Sequence, residues 1–215
     1  MSKSLLDARK LIVSDQAVLF PRLDRVRPVE VLNEYQRLQG NPGLGLVRSY
    51  EKGESQLPEL AEVLAEYQIP PDFLIIPFIE SDFRSHVVSP RGAAGLWQFT
   101  KVTGRHYGLR VGVFRDERKN PVLSTRAAAK HLYELYLEFH DWPLALAAYN
   151  AGAGRVRQAC KEYQICDYWV LVRKLQLPPQ TRRYVPRLIA SLLFLEDKGL
   201  WMFSESTTTK SLTTK

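Results

Sequence analysis

The chain has 215 residues, of which 45% are hydrophobic and 25% are charged. These proportions are typical of a soluble globular domain and exclude wholesale disorder and a collagen-like repeat, while two cysteines are too few for a disulfide framework. No apolar run approaches the ~18 residues that a membrane span requires, and the charged start does not resemble a secretory signal peptide. The formal net charge of +7 favours an anionic partner, such as nucleic acid, a membrane surface or an acidic polymer.

The positive charge is concentrated near the C-terminus, because residues 151–215 hold 11 Lys+Arg against 5 Asp+Glu. The sequence has no block of five like charges and no basic stretch interleaved with aromatic residues. On charge alone, a solvated surface is therefore the simpler interpretation.

The spacing of apolar residues predicts a succession of helices in the first half of the chain. Three are predicted before residue 81, over 29–39, 58–67 and 71–80. Pro77 lies inside the third and predicts a kink or an irregular turn there. The stretch 85–105 is rich in turn-forming and small residues, so any short strand or hairpin is expected within it.

Helices are also predicted through the second half of the chain. They cover 124–139, 143–152, 155–164 and 181–197. Ser124 is the predicted N-cap of the first, and Pro186 lies near the start of the last or at a kink in it. The fold class predicted from these elements is mostly α.

Cys160 and Cys166 are six residues apart, which puts them on opposite sides of an uninterrupted helix. Two buried thiols are one interpretation of this spacing. A disulfide is the other, and it requires a turn between the two residues and an oxidising compartment.

One carboxylate stands out. Glu80 follows an apolar stretch, 74–79, and lies near the predicted end of its helix. Burial and the negative end of the helix dipole both favour the protonated acid, which is the form that a general acid needs. An ordinary solvated glutamate at a helix end is the alternative.

Polar and aromatic side chains occur in two small-residue settings. The stretch 95–99 places Trp97 and Gln98 beside Gly95, and the stretch 148–152 ends an apolar helix with Tyr149 and Asn150. Aromatic rings and amides around an acid are typical of sugar sites, although Trp97 and Tyr149 taken singly are more often core residues. The four histidines lack the spacing of a zinc site, and no phosphate-binding loop is present.

Three segments, in order and in spacing, resemble the lysozyme-like lytic transglycosylases. They are Glu80-Ser81, the stretch 89–99 (SPRGAAGLWQF) and the stretch 148–152 (AYNAG). Further stretches resemble one membrane-bound subfamily of these enzymes, at 104–109, 116–118, 123–125, 144–147 and 184–188. The resemblance covers about residues 29 to 197, and it identifies Glu80 as the expected catalytic acid.

The resemblance implies a goose-lysozyme-type helical fold and a domain organisation. The expected parts are an N-terminal extension, helical or partly ordered, over 1–28, a catalytic domain over 29–200, and a disordered Ser/Thr/Lys-rich tail over 201–215. At Thr100 and Lys101 many family members carry an apolar residue and a proline, so the local subsite shape is expected to differ.

The resemblance also implies a reaction and a set of residues for it. The reaction is cleavage of the bond between N-acetylmuramic acid and N-acetylglucosamine with formation of a 1,6-anhydro sugar, by Glu80 as acid and then base, without metal or other cofactor. The implied substrate-binding residues are Ser89, Gly95, Trp97, Gln98, Tyr149, Asn150 and Tyr184. Ser81 is expected to support the helix end, and Asp82 is expected to be structural or a surface group.

The implied partner is the glycan strand of peptidoglycan, bound by a monomer in the periplasm or cell envelope, with no nucleic acid. Relatives carry an export signal or lipid anchor and often lysin-motif repeats, which this sequence does not show. A trimmed chain, another export route and a minimal form are the explanations left open. A hydrolytic muramidase of the goose type and a basic helical module that binds nucleic acid are the alternative functions.

Overall fold

The computed structural model describes residues 28–203. Ten α-helices run through this part of the chain: α1 Val29–Leu38, α2 Asn41–Gly53, α3 Leu57–Ala65, α4 Ile75–Ser81, α5 Lys101–His106, α6 Pro121–Phe139, α7 Trp142–Ala151, α8 Ala153–Tyr163, α9 Tyr168–Arg173 and α10 Pro179–Asp197. Three short 3-10 turns accompany them: Glu54–Gln56, Pro71–Leu74 and Glu117–Lys119.

The predicted fold class is confirmed, since residues 28–203 contain helices and no strand. Isolated β-bridges are the extended pairings that occur there, and they join Val88 to Ala94, Ala94 to Phe99 and Val111 to Asp116. The first two lie within 85–105, so the short hairpin expected in that stretch takes the form of a loop with two bridges.

Helix α4 lies in the core. Ile75, Ile76 and Phe78 are at most 2% exposed, and the helix contacts both α2 and α10. Pro77 falls in its first turn, where a backbone N–H has no partner within a helix, so this proline costs no hydrogen bond. The irregularity predicted at Pro77 appears just before it, where the 3-10 turn Pro71–Leu74 changes to α-helix.

The remaining helices surround α4 through a few extensive contacts. Helix α6 packs between α3 and α7, and α7 also packs against α8 and α10. The 19-residue helix α10 runs along α1 as well, so it connects the first described helix to the middle of the domain.

One helix start was misplaced and one helix was not predicted. Helix α6 begins at Pro121 rather than Ser124, because Asn120 is its N-cap and accepts a hydrogen bond from the Leu123 N–H at 2.9 Å. Ser124 is fully buried, and its hydroxyl donates to the Asn120 carbonyl. Helix α2, for which no helix was predicted, begins at Asn41, and Gly43 in its first turn lets α1 and α2 approach closely, since a Cβ there would lie 1.9 Å from the Leu38 carbonyl oxygen.

The packed domain extends past its predicted end at residue 200. Trp201 is 1% exposed, and its indole N–H donates to the Asp72 carboxylate at 2.9 Å. Residues 1–27 and 204–215 lie outside the described residues, so the N-terminal extension and the remainder of the tail stay predictions.

Cys160 and Cys166 form a disulfide, with Cα atoms 4.6 Å apart. Helix α8 ends at Tyr163, and Gln164 adopts a left-handed φ of 51° that turns the chain back. The Ile165 N–H then donates to the Cys160 carbonyl at 3.2 Å. Of the two interpretations of the cysteine spacing, the structure therefore shows the disulfide. No helix within 28–203 combines the length and the apolar character needed to cross a membrane.

We expect the Cys160→Ser/Cys166→Ser double variant to lose about 2 kcal/mol of unfolding free energy, because the two cysteines are 6 residues apart and close a short loop. Urea denaturation under non-reducing conditions measures the difference. Dithiothreitol should lower the stability of the wild type and leave the double variant unchanged. A reductant effect of equal size on both proteins would contradict the disulfide.

Candidate active site

Glu80 lies on the last turn of α4, one residue before the helix ends. Asp82 caps the helix in a left-handed conformation, with φ of 50°, and its N–H donates to the Pro77 carbonyl. The apolar residues that bury α4 thus carry Glu80 to the edge of the core. Burial raises the pKa of Glu80, while Tyr184 and the charge of Arg187 pull it back down by smaller amounts.

Two tyrosines from other helices face this carboxyl. Tyr149 comes from α7 and Tyr184 from α10. Burial and the neighbouring Glu80 raise the pKa of both phenols well above its ordinary value, so both stay neutral. The Tyr184 hydroxyl makes no hydrogen bond of standard geometry, yet it lies close enough to Glu80 to stabilise the carboxylate.

A pocket of about 340 Å³ opens at Glu80. It is lined by Ile79, Glu80, Asn150, Pro179, Gln180, Arg183, Tyr184 and Arg187. Asn150 is held in place because its side-chain oxygen accepts a hydrogen bond from the Thr181 hydroxyl at 3.1 Å. The pocket therefore brings together three of the predicted site residues, Glu80, Asn150 and Tyr184, from three different helices.

The loop 85–99 is anchored next to Glu80 by Ser81 and Tyr149. The buried Ser81 hydroxyl makes hydrogen bonds with the Pro77 carbonyl at 2.9 Å and the Leu96 carbonyl at 3.0 Å. The Tyr149 hydroxyl donates to the Trp97 carbonyl at 2.8 Å. Both side chains thus join the loop to the helices that form the site.

Arg118 holds the other side of this loop. It is 2% exposed, forms a bidentate ion pair with Asp116, and donates through Nη1 to the Gly92 and Phe99 carbonyls at 2.7 and 2.9 Å. Gly95, at φ of 81°, packs so tightly here that a Cβ would lie 1.7 Å from the Arg118 carbonyl oxygen.

The other predicted site residues are engaged within the loop or the core. The Ser89 hydroxyl oxygen accepts from the Ala93 N–H at 3.1 Å, and the Gln98 amide donates to the Gly95 carbonyl at 2.8 Å. Trp97 is 1% exposed, and its indole N–H donates to Thr125. Direct substrate contacts by Ser89, Gly95, Trp97 and Gln98 stay predictions, because none of these residues lines the pocket at Glu80.

Asp82 does not form a second acid at the pocket. Its side chain is 67% exposed and pairs with Arg84 at 3.3 Å. Within residues 28–203 no group of three His, Cys, Asp or Glu side chains is placed to hold a metal ion.

Sequence reasoning missed the arginines of the site. Arg183 and Arg187 line the pocket from α10 and flank Tyr184 in the sequence. Their spacing of four residues, which puts two cations on one helix face, was a signal that could have identified them.

A buried imidazole lies behind Tyr149. The His131 ring is 5.1 Å from the Tyr149 ring and 4.7 Å from the Tyr107 ring, measured between centroids. Burial, aided by the nearby His106, lowers the pKa of His131 to about 4. His131 is therefore neutral at physiological pH and acts as part of the aromatic packing.

The Transglycosylase SLT domain family matches residues 60–172, more than half of the chain. The chain therefore belongs to this family of peptidoglycan lytic transglycosylases. Membrane-bound lytic murein transglycosylase D of Escherichia coli K12 is 36% identical over 144 residues, which cover 65% of this chain and 31% of that protein. Peptidoglycan transglycosylase gp16 of Escherichia phage T7 is 42% identical over 83 residues, 38% of this chain and 6% of that protein.

Solved structures share the fold. Lytic transglycosylase Slt of Pseudomonas aeruginosa, solved as an inactive mutant, has a TM-score of 0.51 and 24% identity over 88% of this chain and 28% of that chain. The 70-kDa soluble lytic transglycosylase of Escherichia coli has a TM-score of 0.53 and 24% identity over 68% of this chain and 25% of that chain. The family and the fold predicted from the sequence are thus confirmed, although this chain spans less than a third of the length of either.

We expect Tyr184→Phe to raise the pKa of Glu80, because the phenol that stabilises the carboxylate is removed while burial remains. Since a general acid must be protonated, the alkaline limb of activity should move to higher pH. Carbon-detected NMR titration of the Glu80 carboxyl measures the shift. Tyr168→Phe is the control, because Tyr168 is buried under the same helix and bonds to the Thr181 and Arg182 carbonyls. A fall in the pKa of Glu80 in the Tyr184→Phe variant would contradict the stabilisation of the Glu80 carboxylate by Tyr184.

We expect the wild type to lose stability below pH 6.5 in part through His131. The pKa of His131 is about 4 in the folded protein and about 6.5 in the unfolded chain, so as the pH falls the unfolded chain binds the proton first. The stability that the neutral imidazole contributes above pH 6.5 is therefore lost as the pH falls toward 4. The loss attributable to this group by pH 4 is roughly 3 kcal/mol. Urea denaturation across this range should show a smaller fall for His131→Phe than for the wild type, whereas a variant of the exposed His86 should follow the wild type.

Proposed function

We propose that the chain is a peptidoglycan lytic transglycosylase that cleaves the β-1,4 bond between N-acetylmuramic acid and N-acetylglucosamine with Glu80 as its single catalytic carboxyl. The observation that carries this proposal is the Glu80 carboxyl, whose pKa is raised by burial at the mouth of a pocket. Among the described residues that line the pocket, Glu80 is the one acid. Glycosidases with two catalytic carboxylates need a second one within about 10 Å across the bond, and Asp82 is exposed and paired instead.

A single carboxyl suffices if the substrate provides its own nucleophile. Protonated Glu80 donates its proton to the glycosidic oxygen, and the bond to C1 of the muramic acid breaks. The N-acetyl carbonyl of the same sugar stabilises the positive charge that develops at C1. The Glu80 carboxylate then takes the proton of the 6-hydroxyl as that oxygen bonds to C1, which yields the 1,6-anhydro sugar and restores the acid.

The neighbours of Glu80 suit these steps. Burial holds the proton on Glu80 before the first step, and Tyr184 with Arg187 stabilises the carboxylate that the first step creates. Asn150, oriented by Thr181, offers an amide to substrate hydroxyl or N-acetyl groups. The 6-hydroxyl of a bound sugar is held close to C1, and such intramolecular attack gains several kcal/mol over attack by a separate molecule.

We further propose that the protein acts at the cell envelope, in the periplasm, where peptidoglycan lies. The Cys160–Cys166 disulfide supports this location, because disulfides persist in oxidising compartments outside the cytosol. The E. coli relative is named as membrane-bound.

We expect Glu80→Gln to reduce the release of soluble fragments from purified peptidoglycan by at least about a hundredfold, because the amide can neither donate nor accept the proton as the acid does. Asp82→Asn is the matched control and should retain activity, since Asp82 is an exposed carboxyl two residues away. Equal activity of Glu80→Gln and the wild type would overturn the catalytic assignment.

The mass of the products shows whether the 6-hydroxyl of the muramic acid or a water molecule attacks C1. We expect anhydro-muropeptides. Products heavier by one water would assign the chain to hydrolytic muramidases of the goose type and overturn the intramolecular step.

A further inference from the structure

A second cavity, of about 420 Å³, adjoins the pocket at Glu80. The two share Ile79, Arg183 and Arg187 in their linings, so they lie side by side. The far wall of the second cavity comes from α1 and α2, through residues between 34 and 46. These helices precede residues 60–172, which the family match covers, so the second cavity is built in part by a segment outside that match.

One face of α10 supplies three of the polar side chains of this cavity. Arg183, Arg187 and Ser191 follow one another at intervals of four residues and therefore lie along one side of the helix. Arg187 is exposed, and no residue within 28–203 forms an ion pair with it. Ser191 is 0% exposed, and its hydroxyl has no hydrogen-bond partner among the described residues. A buried hydroxyl without a partner is rare in folded proteins and calls for a ligand or another explanation.

Glu34 orients the other cations of the cavity. It is 8% exposed and accepts hydrogen bonds from Arg183 Nε at 2.8 Å and from Arg37 Nη1 at 3.2 Å. A guanidinium has five N–H donors, so each arginine keeps donors beyond those that Glu34 engages. Asp82 also lines the cavity, and its carboxylate is paired with Arg84.

We infer that this cavity binds a carboxylate carried by the muramic acid substituent of the substrate, with Arg187 as the principal contact and with Arg183 and Ser191 as further donors. The inference rests on the proposed function and names a part of the substrate that the Glu80 pocket does not explain. The carboxylate belongs either to the lactyl ether or to the stem peptide attached to it, and both present the same planar anion that a guanidinium binds through two N–H groups.

The shared position of Arg187 links this contact to catalysis. Its charge lowers the pKa of Glu80, which opposes the protonated form that the first step requires. A carboxylate bound to Arg187 would offset that charge. Substrates that carry the carboxylate therefore favour the protonated acid at the moment of binding.

The test measures binding in the Glu80→Gln background, so that the ligand is not cleaved. Three ligands are compared by calorimetry: a glycan strand with stem peptides, a strand stripped of its stems that retains the lactyl carboxylate, and the stripped strand with that carboxylate converted to a methylamide. Arg187→Gln is the test variant. Arg173→Gln is the charge-matched control, since Arg173 is exposed and lines neither cavity.

We expect Arg187→Gln to weaken binding of carboxylate-bearing strands about tenfold, the size of one charge-assisted hydrogen bond, with a loss under twofold for the methylamide. The lactyl carboxyl is amide-bonded in the stem-bearing strand and free in the stripped strand. A loss with the stripped strand alone therefore identifies the lactyl carboxylate, a loss with the stem-bearing strand alone identifies a stem-peptide carboxylate, and a loss with both shows that the cavity binds either. An equal loss with all three ligands, or no loss with any, would overturn the inference.

Ser191→Ala gives an independent readout. We expect it to weaken the same ligands severalfold while leaving the melting temperature unchanged, whereas an altered melting temperature with unchanged affinity would remove Ser191 from the site. An activity assay separates the proposed function from the proposed carboxylate site. If the protein with Glu80 intact releases no fragments from peptidoglycan, the proposed transglycosylase function is wrong, and this result does not depend on what Arg187 binds.

Discussion

The structure depends on placing one carboxyl at the edge of a hydrophobic core. The apolar residues of α4 must be buried, and their burial takes Glu80 with them, because the side chain lies on the last turn of the same helix. Removing a carboxylate from water is costly, so the acid is favoured in its protonated form. Tyr149 and Tyr184 surround this carboxyl with neutral phenols, which keeps the site polar without adding another negative charge.

The loop 85–99 contains isolated bridges and turn hydrogen bonds rather than strands, and side chains from outside the loop add to this backbone pairing. Arg118, paired with Asp116, is one of them. A buried ion pair by itself contributes little net stability, but this guanidinium also donates to the Gly92 carbonyl and adds a second donor to the Phe99 carbonyl, which already accepts from the Ala94 N–H. Together with the Ser81 and Tyr149 hydrogen bonds, it fixes the loop from both sides.

Helix α10 connects the pocket at Glu80 to the helices that precede the matched family segment. It contacts α4 and α7, which carry Glu80 and Tyr149, and it also packs along α1. Tyr184 on this helix serves the pocket at Glu80, while Ser191, two turns further on, lies at the second cavity. The helices α1 and α2, which precede the matched family segment, are therefore packed into the same domain and line the second cavity.

The sequence by itself determined the helical class and the burial of α4, and its short motifs singled out Glu80, because apolar periodicity and short motifs are local properties. It misplaced the start of α6, since Asn120 and Pro121 form a stronger start signal than Ser124, and it could not decide between thiols and a disulfide at Cys160. Only the tertiary structure decided which further residues meet Glu80. Arg183 and Arg187 are more than a hundred positions away along the chain, and Trp97 points into the core, because such contacts depend on how helices pack rather than on any local pattern.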